Sequence, residues 1–82
     1  MMSTNQLSYY ARQVADAKGL KHQMMVMNLR IYINSTLESQ LVEQIEVIYR
    51  SDELKALWEA GLNTTLQDAV MKRLEELKAR RD

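Results

Sequence analysis

The sequence predicts a mainly α-helical chain that carries one β-strand and completes its fold with a second copy of itself. Three observations lead there. The stretch "MNLRIYIN", Met27 to Asn34, alternates polar Asn28, Arg30, Tyr32 and Asn34 with apolar Leu29, Ile31 and Ile33, the period-2 pattern of a half-buried strand. The segments on either side repeat at helical spacing instead. Finally, 82 residues with no cysteine make one small domain with a thin core, and no disulfide or thiolate metal site supports it.

The elements follow in order. In "STNQLSYYARQVADAKGL", Ser3 and Gln6 fit a capping box, and Leu7, Tyr10, Ala11, Val14 and Leu20 form a helical stripe that Gly19 ends. "KHQMMV" leads into the strand. After Asn34 the period changes. Ser35 and Glu38 fit a second capping box, and Leu37, Leu41, Ile45, Ile48 and Tyr49 predict a helix from about Ser35 to Tyr49. "RSDELKALWEAG" starts again, with Ser51 as N-cap and Asp52 and Glu53 in the first turn, where the helix dipole favours acids. This is a short separate helix or a kinked continuation, with Leu54, Leu57 and Trp58 on its apolar face and Gly61 at its end. Thr64 and Gln67 fit a third capping box, opening a last helix striped by Leu66, Ala69, Val70, Leu74 and Leu77.

A single strand has backbone donors and acceptors that nothing in its own chain pairs. A second copy of the strand, antiparallel across a two-fold axis, is the economical mate. Leu29, Ile31 and Ile33 of both chains would then cover the helices, and Asn28, Arg30 and Tyr32 would stand on the open face. A two-stranded ribbon fits the major groove of B-DNA, where arginine reads guanine and asparagine reads adenine by paired hydrogen bonds. The bland alternative is the solvated outer face of any sheet. Charge is uneven beneath a net value of zero: residues 1–33 sum to +3, residues 34–62 to −4 and residues 63–82 to +1. The basic half suits a surface that meets an anion.

The strand, the polar cap after it, and the pair Leu37 and Leu41 in "RIYINSTLESQL" resemble the ribbon-helix-helix repressors, the class of the Arc, MetJ and CopG repressors. "AGLNTTLQDAVMKRLEEL" resembles that family's turn into its second helix. The likeness covers about Met27 to Leu77. It implies an intertwined homodimer with a two-stranded antiparallel ribbon and a core over residues 27–82; the N-terminal helix and lead-in over residues 1–26 and an insertion at about 50–60 depart from the family's pattern. It implies that Asn28, Arg30 and Tyr32 read bases and that Asn63, Thr64 and Thr65 hold a phosphate at a helix start, a ready anion site. The implied function is sequence-specific binding of double-stranded DNA as a transcriptional repressor of a phage, plasmid or mobile element. Several dimers would occupy the duplex cooperatively, since a neutral protein binds phosphates weakly alone.

The alternative is a small helical protein-interaction module, an antitoxin or a host-factor-binding protein, with the Trp58 region as a docking point. The plainer reading of Trp58 is a plug in the core between helices. Met24, Met25 and Met27 look like a lipid-binding or calmodulin-style surface, but methionine more often fills irregular gaps in a core. His22 is the only histidine and has no ligand partner at metal spacing. No nucleophile-base set, phosphate loop or dinucleotide motif appears, so neither an enzyme nor a cofactor is expected. The N-terminus lacks a signal-peptide pattern and no apolar run reaches membrane length, so the expected location is cytoplasmic.

Overall fold

Residues 27–34, predicted as a strand, form the second half of a helix. The computed structural model describes residues 5–80, and these contain five α-helices and no strand: α1 (Gln6–Asp16), α2 (Leu20–Asn34), α3 (Glu38–Glu46), α4 (Ser51–Ala60) and α5 (Thr64–Arg80). The mainly-α-with-one-strand class, and with it the ribbon-helix-helix fold and its two-stranded ribbon, is therefore corrected to all-α. The physical reason lies in the backbone. A strand leaves its N–H and C=O groups for another strand to pair, whereas a helix pairs them within its own segment. The predicted boundary after residue 26 falls in the middle of α2.

Helix ends follow local chemistry, with small shifts of register. The Asn5 side chain caps α1 by accepting from Ser8 N–H at 3.0 Å. Ser3 of the predicted capping box lies outside the described residues. Gly19 does not stop a long first helix. It precedes α2, with φ of 65° and ψ of −138°, a backbone conformation that only glycine adopts freely. Ser35 is the C-cap of α2 rather than the N-cap of α3, whose cap position is Leu37 with no side-chain bond. α4 is a separate helix that starts at Ser51, with Asp52 and Glu53 in its first turn, and Gly61 ends it at φ 99°. Asn63, not Thr64, caps α5, accepting from Leu66 N–H at 2.9 Å.

α1 packs against α2, α3 and α4, and α5 closes the other side against α3 and α4. One core results. Leu7, Ala11 and Val14 of α1 meet Leu29 and Ile33 of α2, Leu41 and Ile45 of α3, Leu54 and Leu57 of α4, and Leu66 and Val70 of α5.

Several polar groups tie the elements together, among them Gln44, Glu53 and Arg73. Gln44 of α3 accepts from Leu7 N–H at 2.9 Å and from the Tyr32 hydroxyl at 3.2 Å with one carboxamide oxygen. Its own carbonyl oxygen accepts from Asn5 Nδ2 at 3.0 Å. Glu53 of α4 is buried, receives the Ser8 hydroxyl and pairs with Arg12 Nε at 3.1 Å. Arg73 of α5, also buried, donates to the Ile48 carbonyl at 2.8 Å, pairs with Glu76 at 3.1 Å and lies 5.5 Å from the Tyr49 ring centroid.

Candidate protein-interaction surface

α2 is apolar on two opposite sides. Met25, Val26, Leu29, Tyr32 and Ile33 face the core, at the spacing of one helix face. Leu20, Met24, Met27 and Ile31 follow at intervals of 4, 3 and 4 residues on the other side. At 3.6 residues per turn these four fall within a band about 60° wide and about 16 Å long. Their exposures are 76%, 56%, 60% and 60%. Single exposed apolar residues are ordinary, but four large ones in a line on one helix are not. The band has the 4-3-4 spacing of a coiled-coil seam with nothing packed on it.

The polar residues beside the band are Lys21 and Asn28 on one flank and Gln23, Arg30 and Asn34 on the other. α2 carries two cations and no carboxylate. Next to the Lys21 flank, between α1 and the start of α2, runs an open cleft of about 710 Å³ lined by Tyr9, Arg12, Asp16, Lys18, Lys21 and Met25 among others. Of its three cations, Arg12 is paired with Glu53, whereas Lys18 and Lys21 form no ion pair among the described residues. A second open cleft, of about 830 Å³, lies between the start of α4 and the end of α5, and its Arg50 is already paired with Asp52 at 2.7 Å.

His22 braces the start of α2. Its Nδ1 lies 3.1 Å from the Val14 carbonyl oxygen and 3.3 Å from that of Ala17, and its Nε2 lies 2.6 Å from Glu59 Oε2 of α4. All three neighbours accept, so the doubly protonated ring suits the site. The hydrogen bond to Glu59 raises the His22 pKa first of all; desolvation opposes it, and the Glu59 charge and the carbonyls of Ala17 and Val14 add smaller upward effects. No group of three potential metal ligands occurs among the described residues. No helix there is long and apolar enough to cross a membrane.

The residues expected to read bases do not share a face. Asn28 is exposed. Arg30, on the opposite flank of the apolar band, donates through Nε to the Ala60 carbonyl at 3.0 Å. Tyr32 is half-buried, its hydroxyl on Gln44 and its ring 5.1 Å from that of Tyr10. Successive positions on a helix diverge by about 100°, so the side-by-side display that a ribbon would provide is lost with the strand. Asn63, Thr64 and Thr65 stand at the start of α5, where Asn63 Nδ2 donates to Glu38 Oε1 at 3.0 Å, so a carboxylate contacts the residue that caps this helix. Trp58 is 45% exposed, on the outward side of α4, and is not a core plug.

The apolar band on α2 escapes the period-2 pattern because that stretch takes in only two of its members, Met27 and Ile31. Over the wider window "LKHQMMVMNLRIYIN" both helical stripes are present in the sequence, and only the packing distinguishes the buried one from the exposed one. Comparison with protein-family models, curated proteins and solved structures returns no match.

Proposed function

We propose that this chain is a small helical protein-interaction module that docks a partner on the outward face of α2. One observation carries the reading: Leu20, Met24, Met27 and Ile31 form an unbroken apolar line opposite the face of α2 that builds the core. Keeping four large side chains in water forgoes burial of about 1.5–3 kcal/mol each. A partner that covers them recovers part of that energy, less the cost of association. Methionine at the two central positions adapts its shape to the surface it meets. The chain's own stability does not need the band, since the opposite stripe of α2 already anchors it.

The experiment is site-specific photocrosslinking in the cells that make the chain. A photoreactive residue at Met27 is expected to give a discrete protein adduct, and the same residue at Glu75 on the far helix is not. Equal labelling from both positions, or none from Met27, removes the reading.

A further inference from the structure

Resting on that docking reading, we infer that the occupant of the α2 face is an acidic amphipathic helix of a different protein, with its apolar stripe on Leu20, Met24, Met27 and Ile31 and its carboxylates over Lys18 and Lys21 on one side and Arg30 on the other. The charge pattern around the band carries this choice. α2 itself has no carboxylate, and the flanking cleft adds Lys18, which forms no ion pair among the described residues, beside the single carboxylate Asp16, its Arg12 being already paired with Glu53. Arg30 meets only a neutral carbonyl, and Glu59, the carboxylate at the nearby end of α4, is held by His22. A second copy laid on the same band would bring the same basic rim to both sides, with no α2 carboxylate to neutralise it. A helix with glutamates beside its apolar stripe supplies what the rim lacks, and rim charges of this kind set partner choice more than raw affinity. The band spans about three turns, which matches one short partner helix.

The test uses the whole chain and two synthetic peptides of about 20 residues. Each has leucines at stripe positions, flanked by glutamates in one and by lysines in the other. By fluorescence anisotropy the glutamate peptide is expected to bind about tenfold or more tighter than the lysine peptide, and the gap is expected to shrink as salt rises. The doubly substituted Met24→Asp/Met27→Asp chain, changed only at exposed positions and checked for helicity by circular dichroism, is expected to lose the glutamate peptide. Lys18→Glu/Lys21→Glu is expected to reverse the preference.

Equal affinity for the two peptides, abolished by Met24→Asp/Met27→Asp, overturns the acidic partner and leaves the docking face standing. Glutamate-peptide binding that survives that double substitution overturns the assigned site. If neither peptide binds and sedimentation shows a dimer that the double substitution dissociates, the occupant is a second copy and the inference is wrong. If neither binds and the chain is monomeric, the inference and the docking reading fail together. Displacement of the glutamate peptide by a DNA duplex points to phosphates and overturns the inference as well.

Discussion

Leu29 and Ile31 stand two residues apart on α2 and face opposite ways: Leu29 has no exposed surface and Ile31 is 60% exposed. In a strand they would share a face and lose equally on truncation. In this helix Leu29→Ala is expected to cost about 2–4 kcal/mol through lost burial and a cavity. Ile31→Ala is expected to change stability by no more than about 0.5 kcal/mol. Urea denaturation of the two variants checks this, and equal losses would contradict the helical register.

Gln44 acts on α1 from 37 residues away in sequence, its side-chain oxygen satisfying the Leu7 N–H that the first turn leaves unpaired. Gln44→Leu strands that donor and the Tyr32 hydroxyl, with an expected cost of about 1–3 kcal/mol. Gln44→Glu keeps an acceptor at the same place and is expected to retain most of the stability. If both substitutions are equally damaging by thermal melting, the oxygen is not what the site requires.

Glu53 is 1% exposed, while its partner Arg12 is more than half exposed. The net contribution of the charge is small, because the cost of desolvating Glu53 offsets the attraction of Arg12 and of Arg50, whose Nε lies 3.9 Å from the same oxygen. The larger effects are the Ser8 hydroxyl and the space that the side chain fills. Glu53→Ala is expected to cost about 2–4 kcal/mol, whereas Glu53→Met, apolar and of similar volume, is expected to cost clearly less. Equilibrium denaturation separates the two outcomes, and a Met variant as unstable as the Ala variant would show that the charge matters more than the volume.

The clasp between His22 and Glu59 predicts a pH dependence with a definite sign. The folded-state pKa of His22 is raised above its ordinary value of 6.5, so the contribution of the clasp is full below that value. It is lost as pH rises from there through the raised folded-state value, when the ring loses a proton that Glu59 or the carbonyls of Val14 and Ala17 would accept. Thermal melting across the neutral range is expected to show this decline in the parent chain and a flatter profile in His22→Gln. An unchanged profile in His22→Gln would assign the decline to other groups.

Some of this architecture is already written in short stretches of the chain. Gly61 ends a helix because its positive φ is open to glycine. Asp52 and Glu53 begin one because the N-terminal dipole attracts acids. Leu66 and Val70 mark a buried face because they lie one turn apart. These depend on neighbours within a few residues, so the sequence alone decides them. The state of Met27 to Asn34 is of another kind. Two helical stripes interleave there: Leu29 and Ile33 belong to one and Ile31 to the other, so eight residues of α2 imitate the alternation of a strand. Whether such a segment extends or coils depends on where its backbone hydrogen bonds go, and without a mate they close within the helix. Which of its two stripes is buried is likewise a matter of packing, because α1 and α4 offer a core to one side only. The apolar band of the candidate surface was thus legible as spacing, while its exposure, and the capping of Leu7 by Gln44, exist only once distant helices are brought together.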